Sequence, residues 1–131
     1  MIKKIFPFLI IIIFITTLVQ AGSDRMKVPR VRYIEPKNDS VIDLKNKETL
    51  VFRWKKNPLP AGGRMAYKFE IFKEFTYERV VNETLERDVY SIEIPSDKFE
   101  GDTTYSWQVK QRDASSRFWS LEDRWSFKVR K

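Results

Sequence analysis

The chain has 131 residues, contains no His and no Cys, and carries 25 basic against 18 acidic residues, a formal net charge of +7. Without His it lacks the commonest general base, metal ligand and pH switch, and without Cys it has no disulfides and must be held together by packing. Acidic and basic residues are interleaved along the chain, which predicts a mixed solvated surface and argues against a nucleic-acid partner.

The N-terminal segment has the pattern of an export signal. Residues 1–4 form a short basic start, and residues 5–19 are apolar with three interruptions. Val19 and Ala21 stand at the two positions that a signal peptidase reads, which predicts a signal peptide over residues 1–21 and a secreted or periplasmic protein. The alternative is an uncleaved membrane anchor, although a spanning helix needs roughly 20 apolar residues.

The rest of the chain reads as a flexible segment at residues 22–30 and one domain at residues 31–131. Apolar residues at period two predict seven antiparallel strands, and no stretch has the periodicity of a long helix. The stripes are Val31 and Tyr33; Leu50, Phe52 and Trp54; Tyr67, Phe69 and Ile71; residues 76–82; Tyr90, Ile92 and Ile94; Tyr105, Trp107 and Val109; and Trp125, Phe127 and Val129. A brief further pairing is expected at Val41 and Ile42. This pattern predicts an all-β fold, a two-sheet sandwich.

The segment from Phe99 to Val109 predicts how the two sheets are joined. A bulky apolar residue, a turn at Gly101, a Tyr at position 105 and then strict alternation are typical of a corner between the sheets of a β-sandwich. At such a corner the Tyr ring is buried, and its hydroxyl is expected to find a backbone acceptor upstream.

Four pieces of the chain together resemble a fibronectin type III domain over about residues 31–130. They are similar to that family's second strand, third strand, corner, and last loop with final strand. In that order they are Leu50–Trp54 with Pro58, Tyr67–Ile71, Phe99–Tyr105, and Trp119-Ser120 with Trp125–Phe127. The resemblance implies an immunoglobulin-like module for spacing or recognition and no enzymatic activity. The Arg-Gly-Asp loop of some members is replaced by Arg112-Asp113-Ala114, so receptor binding of that kind is not carried over.

Two loops carry the candidate contact residues. They are Arg112, Arg117, Phe118 and Trp119 between the last two predicted strands, and Phe75 and Tyr77 at the turn after Ile71. Loops at sandwich ends present contacts, and Arg and Trp dominate interface hot spots, which predicts a protein partner in the envelope or outside the cell. Exposed rings can also stack on sugars, so a carbohydrate- or peptidoglycan-binding platform made of Phe75, Tyr77 and Trp119 is the alternative. The simpler structural alternative is that these rings cover the sheets and the arginines stack on them.

Catalytic, metal and cofactor sites are not predicted. The acidic clusters are Glu83, Glu86 and Asp88, and Glu122 with Asp123. On strands and turns such clusters lack the cleft and the raised carboxyl pKa that a glycosidase pair needs, and no Asp-rich calcium loop is present. The sequence therefore predicts a non-enzymatic binding module, in contact with a membrane only if the N-terminal segment stays uncleaved.

Overall fold

The computed structural model describes residues 28–58, 64–86 and 88–131. The predicted signal peptide at 1–21 and residues 22–27 of the predicted flexible segment lie outside this part of the chain. The described residues are all-β and contain no α-helix. None of them belongs to a helix with the length and hydrophobicity that crossing a membrane requires.

The described residues form eight strands in two sheets. The strands are β1 (Arg32–Glu35), β2 (Ser40–Asp43), β3 (Thr49–Lys55), β4 (Met65–Lys73), β5 (Arg79–Leu85), β6 (Ser91–Pro95), β7 (Thr103–Asp113) and β8 (Trp125–Arg130), with a 3-10 helix at Ser96–Lys98. One sheet has the order β1-β3-β6 and the other the order β2-β8-β7-β4-β5. The predicted all-β, two-sheet arrangement is confirmed, with one strand more than the seven expected.

The additional strand is β2, and its direction corrects the prediction of a purely antiparallel sandwich. β2 pairs in parallel with β8, from Ser40 opposite Phe127 to Asp43 opposite Arg130. The strand has only four residues, and its partner lies more than eighty residues away in the sequence. Alternation indicates which side chains face the core, but it contains no information on the direction of so distant a partner.

Two predicted strand boundaries also shift. The strand expected at residues 76–82 begins only at Arg79, because the chain is still turning at Tyr77, which has a positive φ of 56°. The strand expected from Tyr90 begins at Ser91, and Tyr90 itself is 41% exposed instead of being part of the core. Its ring matched the period-two pattern but only packs edge-on against Tyr67 at a centroid distance of 6.4 Å. Its backbone is bonded to β3, since the Trp54 N–H donates to the Tyr90 carbonyl at 3.0 Å.

Inward-facing side chains of both sheets meet in one aromatic core. The Phe52 ring lies at its centre and packs edge-on against three rings of the opposite sheet, those of Phe69, Trp107 and Phe127, at centroid distances of 5.1, 5.3 and 5.6 Å. Trp54 stacks on Phe69 at 5.9 Å. All five side chains are buried. Rings of this size bury large apolar areas, and edge-to-face packing adds to that gain.

The corner at Tyr105 forms where the sequence predicts it, with one difference. The Tyr105 ring is buried, and its hydroxyl oxygen accepts a hydrogen bond from the Glu100 backbone N–H at 2.8 Å. The prediction had the hydroxyl donating to a backbone carbonyl. Glu100 lies outside the strands, so its N–H does not bond to a neighbouring strand. The Tyr105 hydroxyl oxygen accepts from that N–H instead.

Two side chains, the half-buried Tyr33 and the buried Gln111, connect the N-terminal part of the domain to β7. The Tyr33 ring stacks on Trp107 at 4.5 Å, and its hydroxyl accepts from the Val109 N–H at 2.8 Å. The Gln111 side-chain amide donates to the Pro29 carbonyl at 2.8 Å and to the Asn57 carbonyl at 2.7 Å. The end of the segment predicted to be flexible is therefore hydrogen-bonded to the sheet at Pro29.

Candidate binding surface

The loop between β7 and β8, residues 114–124, begins beside the first of the predicted contact residues. The Arg112 guanidinium lies 4.6 Å from the centre of the Trp119 ring, and its Nη1 donates to the Ser116 carbonyl at 2.9 Å. Trp119 is half-buried. For this pair the structure has the arrangement of the simpler alternative, an arginine stacked on an aromatic ring.

The second pair in this loop is more open to solvent. Phe118 is 41% exposed, and the Arg117 guanidinium lies 5.4 Å from the centre of its ring. The Phe118 N–H donates to the Ser116 hydroxyl at 3.1 Å, which fixes the backbone that carries the ring. Arg117 and Phe118 therefore present a cation and an apolar ring together, the combination that is enriched in protein interfaces.

Hydrogen bonds hold this loop against β7. The Ser120 N–H donates to the Gln111 carbonyl at 2.8 Å, and the Gln111 N–H donates to the Ser120 hydroxyl at 3.0 Å. At the start of the loop the Asp113 carboxylate accepts from the backbone N–H and the hydroxyl of Ser115 at 3.0 and 2.9 Å. Hydrogen bonding, first from that N–H and then from the hydroxyl, lowers the pKa of the Asp113 carboxyl. A loop that is ordered in advance loses less conformational entropy when it binds.

A small cavity of about 260 Å³ opens beside the loop. Its lining consists of Lys110, Arg117, Phe118, Trp119, Ser120 and Glu122. Small-molecule sites usually enclose roughly 300–1,000 Å³. The cavity is below that range and therefore suits one side chain of a larger partner better than a free ligand.

The other two predicted contact residues, Phe75 and Tyr77, lie on the turn between β4 and β5. They are 90% and 73% exposed, and both have a positive φ, of 71° and 56°. The left-handed region costs an L-residue with a side chain roughly 1–2 kcal/mol. The turn is closed by the Tyr77 N–H donating to the Lys73 carbonyl at 3.0 Å and the Lys73 N–H donating to the Glu78 carbonyl at 2.7 Å. The two rings therefore project into solvent and do not cover the sheet.

The strand register separates these two groups of candidate residues. Lys73, next to the turn, pairs with Tyr105 near the start of β7, whereas Met65 pairs with Asp113 at its end. At about 3.4 Å per residue, the two ends of the β4–β7 pair lie roughly 27 Å apart. Phe75 and Tyr77 are therefore not next to Trp119, and the platform of three rings considered from the sequence does not form.

The outer face of the five-stranded sheet, the side turned away from the core, carries a charge pattern that the sequence analysis missed. Strand alternation, register and side-chain contacts place eight basic and three acidic side chains there. The basic ones are Lys68, Arg79, Lys110, Arg112, Arg117, Arg124, Lys128 and Arg130, and the acidic ones are Asp43, Glu70 and Glu122. The outer face of the three-stranded sheet is more balanced, with Arg32, Arg53 and Lys55 against Glu35 and Glu93. In the sequence, this face could have been found from the basic residues at the outward positions of β7 and β8, which alternate with the apolar core residues.

One carboxylate of this outer face is almost completely buried. Glu70 is only 4% exposed. It accepts from Arg79 Nη1 at 3.1 Å and from the Gln108 side-chain amide at 3.1 Å. The Gln108 oxygen in turn accepts from Arg124 at 3.5 Å, and the Arg124 guanidinium lies 5.1 Å from the centre of the Phe72 ring. The charge of Glu70 is thus satisfied inside the protein.

A second cavity, of about 430 Å³, was not predicted from the sequence. It is lined by Ile34, Trp54, Lys55, Lys56, Pro58 and Tyr90. Its walls are mostly apolar, and the Lys56 ammonium lies 5.9 Å from the centre of the Tyr90 ring. The exposed Ile34 and Tyr90 side chains of this groove come from positions that the sequence predicted to lie in strands, whereas Pro58 follows the end of β3.

One of the two acidic clusters considered from the sequence, Glu122 with Asp123, forms ion pairs. Asp123 pairs with Arg30 at 3.0 Å, and Glu122 lies 3.9 Å from Lys110. In the described ranges no three Asp, Glu, His or Cys side chains lie together in a way that could hold a metal ion.

A scan against protein-family models and a search of curated proteins found no significant match to this chain.

Proposed function

We propose that the chain is an exported, fibronectin type III-like module that binds another protein of the cell envelope or extracellular space and catalyses no reaction. The two-sheet sandwich and the buried Tyr105 corner support the family assignment. The basic start and the apolar run of residues 1–19 support export through a cleaved signal at residues 1–21.

The observation that carries the protein-binding function is the exposed pair of Arg117 and Phe118 on an ordered loop. The ring is available to a partner, the guanidinium beside it retains its N–H donors, and the adjoining cavity has room for one side chain. Interfaces concentrate their binding energy in a few such residues, which cost at least about 2 kcal/mol when truncated. This loop would therefore supply the centre of the contact.

The experiment begins with immobilised mature protein and an envelope extract from the source organism, followed by purification of the captured protein and titration calorimetry. Phe118→Ala and Arg117→Ala are expected to weaken binding of that partner by about thirtyfold or more. The double variant Phe75→Ser/Tyr77→Ser, at the opposite end of the sheet, serves as the control and should bind like the wild type. Loss of binding in this control, with normal binding by the loop variants, would refute the proposed surface.

The carbohydrate alternative is supported by a different observation, the exposure of Phe75 and Tyr77 on one turn. Aromatic rings held open to solvent can stack on sugar faces, and the backbone of this turn keeps both rings away from the sheet. Soluble peptidoglycan fragments should then shift the NMR resonances of these two residues, and Tyr77→Ala should abolish the shift. Resonances that stay in place at saturating fragment concentration would eliminate this alternative.

A further inference from the structure

The outer face of the five-stranded sheet has a pair of like charges on neighbouring strands at its centre. In the antiparallel register of β4 and β7, Lys68 lies directly opposite Lys110. Like charges in directly opposed positions destabilise a sheet. Lys110 has a carboxylate nearby, but its distance to Glu122 is 3.9 Å, at the limit of an ion pair. No carboxylate in the described part of the chain lies within salt-bridge distance of Lys68.

The acidic residues of this face do not neutralise its centre. Glu70 is buried and fully engaged by Arg79 and Gln108, and Asp43 lies at the sheet edge on β2. The positive charge of Lys68, Lys110 and their neighbours therefore remains available to a partner. Opposite charges on two surfaces favour encounter and fix the orientation of the complex.

Three arginines of this face are held against aromatic rings. Arg112 lies on Trp119, Arg117 on Phe118 and Arg124 on Phe72, at 4.6, 5.4 and 5.1 Å from the ring centres. Stacking restricts these side chains. Arg112 Nη1 donates to the Ser116 carbonyl and Arg124 Nη2 to the Gln108 oxygen, whereas the Arg117 guanidinium has no hydrogen-bond partner among the described residues and keeps its edge N–H groups for a ligand. The edge of a guanidinium matches the two oxygens of a carboxylate, so this arrangement favours carboxylate ligands. Because stacking already restricts the arginine side chains, they lose less conformational entropy when such a ligand binds.

The spacing of these charges follows the strand. Lys110 and Arg112 are two residues apart on β7, which is about 7 Å, and Lys68 lies one strand away, about 5 Å. An extended polypeptide presents every second side chain on one face with the same repeat of about 7 Å. Acidic residues at alternate positions of such a segment would meet Lys110 and Arg112 in register.

From these observations we infer that the partner contacts this outer face through an extended acidic polypeptide segment. The inference rests on the proposed protein-binding function and adds the chemistry of the partner to it. The exposed pair Arg117 and Phe118 stands at one end of the acidic segment's path, and Lys68, Lys110 and Arg112 lie beneath it.

The test uses the mature protein and a fluorescently labelled synthetic peptide with Glu at every second position, followed by anisotropy. The peptide should bind, and its affinity should fall as salt rises, because exposed charges are screened. Lys68→Glu/Lys110→Glu should weaken binding by about tenfold or more. The matched control is Arg32→Glu/Lys55→Glu, which makes the same change in net charge at two residues that also lie directly opposite each other, on the outer face of the other sheet. This control should retain most of the affinity.

A further variant protects the test against misfolding. Lys68→Gln/Lys110→Gln removes the like-charge repulsion, so it should fold at least as well as the wild type and still bind the peptide several-fold more weakly. If the Lys68/Lys110 and Arg32/Lys55 charge reversals weaken peptide binding equally, only net charge matters, and the outer face of the five-stranded sheet is not the binding surface. Binding of dextran sulfate without binding of the peptide would also overturn the inference and identify an anionic polysaccharide instead.

The captured partner distinguishes this inference from the proposed function. If Phe118→Ala abolishes its binding while the Lys68/Lys110 variants leave it unchanged, the acidic-segment inference is wrong and the proposed function stands. If the Lys68/Lys110 variants abolish binding and Phe118→Ala has no effect, the proposed loop is wrong and the acidic-segment inference stands.

Discussion

Trp107 and Gln108 are neighbours on β7 and are about equally buried, at 0% and 3% exposure, but on opposite faces of the sheet. Trp107 lies among rings, with Tyr33 at 4.5 Å and Phe52 at 5.3 Å. Gln108 is bonded to Glu70 on one side and Arg124 on the other. The inner face is buried by apolar packing, and the outer face by long charged side chains that lie across it. Equal burial therefore does not mean equal contribution to stability.

Comparison of the two faces predicts the largest difference in stability when Trp107 and Gln108 are each truncated to Ala. Trp107→Ala removes a ring from the centre of the core and should reduce the free energy of unfolding by about 3–5 kcal/mol. Gln108→Ala should cost much less, since the side chains above it can move and admit water. Urea unfolding of both variants measures the difference. Equal losses would mean that the outer network stabilises the fold as much as the core does.

Glu70 is the residue with which to test the outer network. Glu70→Ala leaves the buried Gln108 amide without its acceptor, and an unsatisfied buried polar group costs about 1–3 kcal/mol. Glu70→Gln should cost less because it keeps a side-chain oxygen in place. Glu93→Ala, an exposed position on the other sheet, is the control and should stay within about 0.5 kcal/mol. If Glu70→Ala unfolds at the urea concentration of the wild type, the network has no role in stability.

The inner face should also respond to alkaline pH. Burial raises the pKa of the Tyr67 and Tyr33 hydroxyls above the ordinary value of 10.0. The folded protein then keeps these protons to a higher pH than the unfolded chain does. Stability should be complete below about pH 10 and fall above it, by up to about 1.4 kcal/mol per pH unit for each Tyr. Urea unfolding across this range should show a shallower decline for Tyr67→Phe, and an unchanged slope would contradict the prediction.

Two buried hydroxyls on the inner side should differ at neutral pH. Tyr105→Phe removes the acceptor of the Glu100 N–H and should cost about 1 kcal/mol. Tyr67→Phe should be neutral or slightly stabilising, because no hydrogen-bond partner for that hydroxyl is found in the described residues. Thermal unfolding of the two variants compares them directly. A larger loss of stability for Tyr67→Phe would mean that the Tyr67 hydroxyl, and not the Tyr105 hydroxyl, makes the stabilising hydrogen bond.

The smallest effect is expected at the turn beyond the sheet. Phe75→Gly relieves the left-handed backbone of that position and should leave stability unchanged or raise it by up to about 1 kcal/mol, after the greater freedom of Gly in the unfolded chain is counted. Phe75→Ala keeps the strain and should give no gain. Equal melting temperatures for the Gly and Ala variants would show that this turn adapts at no cost.

The amount that could be predicted from sequence differs between the two faces. The stripe of Tyr105, Trp107 and Val109 predicts an inward face directly, since large apolar side chains at period two have to be buried together. The outward residues of the same strand, Lys110 and Arg112, look like an ordinary solvated pattern when read along the chain. Their charge accumulates only when β4 and β8 are placed beside β7.

The candidate site shows the same limit. Phe118 beside Arg117 and Phe75 on its turn are exposed, and their role as contact residues stays a prediction. Their separation by the length of the sheet could not be read from the sequence, because it depends on which end of β7 pairs with Lys73. Tyr90 matched a core pattern and is exposed, since its neighbours and not its own polarity decide its burial.

The sequence by itself determined that this chain is an all-β, two-layer protein with a Tyr corner, because side-chain alternation and turn chemistry are local properties. Tertiary structure alone decided the parallel pairing of β2, the distance between the two aromatic loops and the cationic outer face. These features depend on contacts between residues far apart in the chain, and strand register, which local patterns do not encode, sets those contacts.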